Sequence, residues 1–315
     1  MKSYFLVFFL LVAILTNSRQ GYGQVSSEIH RLYFISDCQQ PLTVEKIRLK
    51  PYRNEEARDS LFTDIIRQKP RNLFLLGDLT SKGSNKESWD PIKRLQHSLG
   101  QMNTNLYAIP GNHEYYTNAR RGLQNFKEQF PNNSLFGYCV ETDSMAIVML
   151  NSNFNKLNSS EIQKQQSWYM ATMDSLDADI GIKMILLCSH HPPYTNSKIV
   201  KPSKEVVRFF LPRFNNSPKS RLYISGHSHN LEFFVKPNNK YFLVIGGGGG
   251  LTQPLYAADK RLNEDLIQQD KKPVYFYLVT ERRGDSLHLF VRGLTKDFSS
   301  VNTFETSIGK TSKGR

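Results

Sequence analysis

The sequence predicts an α/β fold, a two-sheet sandwich flanked by helices, and three observations predict it. Apolar runs of strand length alternate with helical periodicity through the first hundred residues of the folded region. The second half carries more strand-like runs, several joined by short turns. With 315 residues, 39% of them hydrophobic, the chain can fill one layered core and does not have the composition of a disordered protein.

The elements follow in order. RLYFIS (31–36) reads as a buried first strand. Asn54 to Lys69 reads as a helix, with Asn54 as N-cap, Glu55 and Glu56 in the first turn, and Ala57, Leu61, Ile65 and Ile66 on one face. NLFLLG (72–77) is a second strand, a helix spans about 86–99, and NLYAI (105–109) is a third strand. Strands separated by helices in this way argue for βαβ units and a largely parallel sheet. A further helix covers 118–130. FGYCVET and MAIVMLN read as antiparallel neighbours with a turn at Asp143-Ser144. Ser160 and Gln163 read as a capping box for a helix reaching about Leu176. IKMILLC, RLYIS, LEFFV, YFLVI, VYFYLVTE and LHLFVRGL complete the strands, with a hairpin turn at RRGD between the last two. No fixed-period repeat and no long linker divides the chain.

Several of these strands end in a polar motif. Asp37 and Gln39 stand in ISDCQQ, Asp78 in LLGDLTSKG, Asn112 and His113 in IPGNHEYY, His190 in CSHHPPY, and His227 and His229 in ISGHSHN. Strand ends that deliver Asp, Asn and His to one rim provide what two adjacent divalent ions need: a short carboxylate that can bridge, and imidazole nitrogens. Two such ions carry a charge of +4, of which two Asp and one hydroxide cancel three, and the remainder attracts a phosphate. Each motif alone reads equally well as a strand-end turn; their recurrence after successive strands favours the metal site.

The order Asp-x-Gln, Gly-Asp, Gly-Asn-His-Glu, His-x-Pro, Gly-His-x-His resembles the calcineurin-like metallophosphoesterase superfamily over roughly residues 30–295. That resemblance implies a four-layer αββα sandwich of two mixed β-sheets flanked by helices. It implies Asp78 as the bridging ligand, Asp37 and His229 at a first metal, and Asn112, His190 and His227 at a second. It makes His113 the residue that assists the leaving group, and it prefers His190 over His191 as ligand. The implied activity is hydrolysis of phosphate mono- or diesters by a metal-bound hydroxide, with two divalent ions (Mn, Fe, Zn or Mg) as cofactors and a small phosphorylated substrate as partner.

The first motif departs from the usual Asp-x-His of that superfamily. Gln39 offers a neutral amide oxygen, a poorer donor to transition metals than imidazole, so the first site is expected to be the weaker one, shifted toward Mn or Mg. The second motif reads GDLTS and lacks the Tyr of purple acid phosphatases, which argues against an iron–tyrosinate centre. Two other readings stay open: a catalytically weakened phosphate- or nucleotide-binding module, and a nuclease, for which the net charge of +13 is the argument.

The remaining features are address and loops. Lys2, an apolar run from Tyr4 to Leu15, and Gly21 and Gly23 before a cleavage point after Gly23 form the pattern of a signal peptide over 1–23, which predicts a secreted or periplasmic protein. The run is shorter than the ~20 residues of a membrane span; an uncleaved anchor is the alternative. The domain is expected over 28–296, and 297–315 as a basic, flexible tail. Cys38 is expected beneath the site and Cys188 in the core, and the odd total of three cysteines implies no disulfide framework. Gly246 to Gly250 reads either as a flexible loop or as backbone passing close to the His227/His229 turn. His191 and Tyr194 are substrate contacts or packing residues, and the sequence does not choose.

Overall fold

The elements run β1 (Arg31–Ile35), α1 (Asn54–Gln68), β2 (Asn72–Leu75), α2 (Asp90–Gly100), β3 (Asn105–Ala108), α3 (Ala119–Gln129), β4 (Tyr138–Thr142), β5 (Met145–Leu150), α4 (Ser159–Ala178) and β6 (Met184–Ser189). They continue with α5 (Lys204–Phe209), α6 (Leu211–Asn216), β7 (Ser220–Ser225), β8 (Leu231–Lys236), β9 (Lys240–Ile245), β10 (Phe276–Arg283), β11 (Ser286–Leu294) and β12 (Ser300–Gly309). The structure is a computed structural model that describes residues 30–42, 45, 53–268 and 272–309.

The strands form two mixed sheets of six, in the orders β12-β11-β10-β1-β2-β3 and β4-β5-β6-β7-β9-β8. β1, β2 and β3 are parallel to one another, and so are β5, β6, β7 and β9. The outer strands β10, β11 and β12 of the first sheet, and β4 and β8 of the second, run antiparallel to their neighbours.

Strand alternation explains the layering. In β1, Leu32 and Phe34 enter the core shared by both sheets, together with Ile147, Leu186 and Ile224 of the second sheet. Tyr33 and Ile35 face the other way, onto Leu61 and Ile65 of α1 and Leu95 of α2. In β6, Leu186 and Cys188 point inward, while Ile185 and Leu187 meet Tyr169 and Met173 of α4 and Phe214 of α6. Both faces of the central strands are therefore buried, which is why they read as unbroken apolar runs. Each such Leu, Ile or Phe contributes about 1.5–3 kcal/mol on burial. The result is helices, sheet, sheet, helices: the expected αββα sandwich.

Local details differ from the sequence reading at four points. Asn54 begins α1 but does not cap it; its amide donates to the carbonyls of Gly249 and Gly250 at 3.0 and 3.2 Å, a tertiary use that outcompetes a local cap. The capping box of α4 is Asn158 with Glu161, two residues before the expected Ser160 with Gln163. The segment 297–315 is not simply a tail: β12 pairs with β11 from Ser286 opposite Gly309 to Leu294 opposite Ser300, and the residues after 309 lie outside the described residues. The short helices α5 and α6 fill a stretch for which no element was expected. The turn at Asp143-Ser144 is as anticipated, with positive φ at both residues (49° and 55°), the signature of a two-residue type I′ hairpin. The proposed signal segment 1–23 lies outside the described residues.

Candidate metal centre

Parallel strands place all their C-terminal ends at one edge. Asp37 follows β1, Asp78 follows β2, Asn112 and His113 follow β3, His190 follows β6, and His227 and His229 follow β7. The two sheets are stitched together at this edge. Gly248 and Gly250, after β9, donate backbone N–H groups to Ser36 and Asp37 at 2.9 and 2.8 Å. Gly246 and Gly250 leave no room for a side chain: a Cβ would sit 2.0 Å from the Ser228 carbonyl at the first and 2.7 Å from the His229 ring at the second. The glycine run is thus the close-passing backbone beside the His227/His229 turn.

The backbone is strained where the candidate ligands stand. Asp37, Asp78 and His227 have φ of 60°, 51° and 65°, the left-handed region. Such residues cost of order 1–3 kcal/mol each and persist where surrounding structure holds them. Here it does. The Asp37 carboxylate accepts the N–H of His227 at 2.9 Å, and Asp78 Oδ1 accepts the N–H of His113 at 2.8 Å. Buried Glu114 accepts three backbone N–H groups, of Asp78 and Leu79 at 2.9 Å each and of Gly111 at 2.6 Å.

The side chains converge in two clusters. Within one, ligand atoms of Asp37, Asp78 and His229 lie within 4.8 Å of one another; within the other, nitrogens of His190, His191 and His227 do the same. Asp78 joins them, with Oδ2 3.2 Å from His190 Nε2. Asn112 Oδ1 lies 3.1 Å from the same nitrogen, and Asp37 Oδ1 lies 3.3 Å from His229 Nε2. All eight residues singled out in the sequence meet at this edge. Cys38 is buried among the helix-facing apolar residues beneath it, as expected.

Backbone carbonyls set the histidine tautomers. His190 Nδ1 donates to Leu76 at 2.9 Å and His229 Nδ1 to Leu251 at 2.6 Å, so each turns its Nε2 to the cluster. The His227 ring has no hydrogen-bond partner among the described residues. The Gln39 amide is best satisfied with its nitrogen donating to the carbonyls of Asp78 and Asp37 at 3.0 and 3.1 Å, which turns its oxygen to His229 Nε2 at 3.1 Å. There it accepts from His229 Nε2, and a cation could take the place of that proton.

The electrostatics favour positive charge. Burial opposes ionisation of Asp78, but His190 and His113 outweigh it and hold the carboxyl well below its ordinary range. Burial pushes His190 down, and Asp78 beside it more than reverses that, raising the imidazole to about 9. The field that keeps a proton there also favours a dication. Burial, with the charge of His190, pushes His191 down to about 3. Glu114 is pushed up to about 7 by burial and by the charge of Asp78.

Comparison with known proteins decides the family. The model of the calcineurin-like phosphoesterase family matches residues 30–231, more than half of the chain. The chain belongs to the calcineurin-like phosphoesterase family. Curated relatives within this superfamily are distant. One is a probable glycerophosphodiester phosphodiesterase of Arcobacter nitrofigilis, 24% identical over 42% of this chain; the match spans 46% of that relative, less than half its length. Another is a UDP-2,3-diacylglucosamine hydrolase of Wigglesworthia glossinidia brevipalpis, 23% identical over 62% of this chain and 81% of that protein. Among solved structures, GAP50, the anchor in the inner membrane complex of Plasmodium, aligns with a TM-score of 0.66 at 15% identity over 90% of both chains. A purple acid phosphatase from yellow lupin (Lupinus luteus) aligns with a TM-score of 0.65 at 14% identity, over 90% of this chain and 54% of that one. These likenesses show the fold. Among the described residues, no helix is long and apolar enough to cross a membrane.

Three residues at this edge escaped the sequence reading. Glu114 lies inside the GNHE motif but received no role, because two of its partners are backbone groups of the loop after β2, distant in the chain. Ser152 follows β5 and bonds His191 at 2.8 Å; its signal was its place directly after an apolar strand, like the ligands. Glu232 is buried and binds Thr195 Oγ1 at 2.5 Å and the Asn196 N–H at 2.7 Å, tying the loop after His191 to β8.

Proposed function

We propose that this chain is an exported, metal-dependent phosphoesterase that hydrolyses small phosphate mono- or diesters. The observation that carries the reading is Asp78, whose carboxylate lies between the side chains of both clusters, with His190 Nε2 3.2 Å from its Oδ2 while its own ligand atom stands with Asp37 and His229. The donor set fits two divalent ions. Asp37, Gln39, Asp78 and His229 would hold the first, and Asp78, Asn112, His190 and His227 the second. When bound, such a pair supplies Lewis acidity at phosphorus and a nucleophile at neutral pH.

The chain's own residues do the rest. Buried Asp37, Asp78 and His190 form the floor, whereas Asn112, His113, His191 and His227 are part-exposed on the open side. His113 donates Nδ1–H to the Ser81 carbonyl at 2.9 Å, which leaves Nε2 for the substrate side. That nitrogen lies 3.9 Å from Asp78 Oδ2. A proton at Nε2 is the one to hand to the leaving oxygen. Export rests on the leader pattern of residues 1–23.

The test is a panel of aryl phosphomonoesters, phosphodiesters and polynucleotides, assayed with the leaderless protein under Mn, Zn, Fe and Mg. Metal-dependent turnover of small esters is expected. Tight phosphate binding without turnover would favour the weakened binding module, and a salt-sensitive preference for polynucleotides would favour a nuclease.

A further inference from the structure

Ser152 and His191 form a pair that none of the ligand assignments uses. Ser152 Oγ accepts the backbone N–H of His191 at 2.9 Å and lies 2.8 Å from its ring Nδ1. The hydroxyl has one proton to place. Among the described residues, Nδ1 is the acceptor within reach, so Oγ–H donates to it. A neutral ring that accepts at Nδ1 carries its proton at Nε2. This is the reverse of His190 and His229, whose Nδ1 atoms donate to carbonyls. His191 nevertheless stands at the centre: its ring centroid is 4.5 Å from that of His227 and 5.0 Å from that of His190. A protonated Nε2 cannot ligate a metal, but it can donate a hydrogen bond beside one.

We infer, resting on the phosphoesterase reading, that His191 is a substrate contact, held by Ser152 as the Nε2–H tautomer so that it donates to a non-bridging oxygen of the phosphoester seated at the metal centre. The two adjacent histidines of one motif then have opposite jobs, set by opposite partners at Nδ1. His190 meets a carbonyl and becomes a ligand; His191 meets a hydroxyl and becomes a donor.

The experiment compares wild type, His191→Phe and Ser152→Ala. Ring nitrogen-15 resonances, assigned by their loss in His191→Phe, report the tautomer. Elemental analysis reports bound metal. Calorimetry on the Mn-loaded protein reports affinity for inorganic phosphate. The expected result is an Nε2–H ring, unchanged metal content in both variants, and phosphate binding weakened about 10- to 100-fold in His191→Phe. Ser152→Ala, the milder change, carries the test if His191→Phe does not fold; it should weaken phosphate binding with metal content unchanged. An Nδ1–H ring, or the loss of one metal equivalent in either variant, overturns the proposal and makes His191 a ligand. Unchanged phosphate affinity at full metal content also overturns it. If the wild type neither binds phosphate nor hydrolyses any ester, the phosphoesterase reading falls and the proposal with it, a failure distinct from those confined to the variants.

Discussion

The carboxylate of Glu114 accepts the backbone N–H of Asp78 at 2.9 Å, and with its other bonds it locks the loop after β2 to the loop after β3. It is fully buried and uses both oxygens on main-chain donors. An amide in its place would turn an NH2 toward one of those donors. Glu114→Gln is therefore expected to destabilise the fold by about 1–3 kcal/mol and to loosen metal binding without touching a metal. Denaturant unfolding and metal titration check this; unchanged stability together with unchanged metal affinity would refute the positioning role.

Asp78→Ala should lower bound metal at both sites and abolish turnover, because Asp78 is shared between the clusters. Elemental analysis against activity is the measurement. A variant with full metal content and normal turnover would show that the ligand set is drawn wrongly.

His113→Ala should retain metal and lose roughly 10²–10⁴ in turnover, the scale of a positioned general acid. The loss should shrink for substrates whose leaving group needs no proton, such as nitrophenolate. Equal losses for good and poor leaving groups would argue for a different role.

Gln39 is expected to make the two proposed metal sites unequal. Its oxygen faces His229 Nε2 at 3.1 Å, which would give the first site a neutral amide where an imidazole would bind more strongly. Titration of the metal-free protein with Mn or Zn should show one tight and one loose event, and Gln39→His should tighten the loose one. Two equally tight events in the wild type, or no change in the variant, would remove Gln39 from the ligand set.

Acid should loosen the far side of the first sheet through Asp64. This α1 carboxylate accepts from Tyr277 at 2.6 Å, Ser300 at 2.7 Å and Arg292 at 2.9 Å, joining α1 to β10, β11 and β12. Burial raises its pKa, and the hydrogen bonds from Arg292, Tyr277 and Ser300 more than offset that, leaving it below the usual Asp value. A folded-state pKa that is lowered gives stability above the unfolded value, near pH 4, and loses it as pH falls through the folded value. Asp64→Asn should thus melt lower than wild type at pH 7, with the gap closing below pH 4. A gap that stays constant across that range would mean the carboxylate charge contributes nothing.

The sequence by itself determined the strands up to β11, the parallel run of β1 to β3 and the candidate ligand types. Buried parallel strands must be apolar over their whole length, as MAIVML and MILLCS are, and a polar residue directly after such a run has nowhere to go but the sheet edge. Asp37, Asp78, Asn112, His190, His227 and His229 were legible for that reason. Only the tertiary structure decided what depends on partners distant in the chain. Asn54 looks like a helix cap until Gly249 and Gly250 take its amide. The segment after 297 looks like a tail until β11 offers it an edge to pair with. His190 and His191 are indistinguishable as neighbours in a motif, and they diverge because one Nδ1 meets the carbonyl of Leu76 and the other the hydroxyl of Ser152. Periodicity and residue type are local properties and survive in a linear chain; which proton a ring carries, and which carboxylate is shared, are set by groups that only folding brings within hydrogen-bond distance.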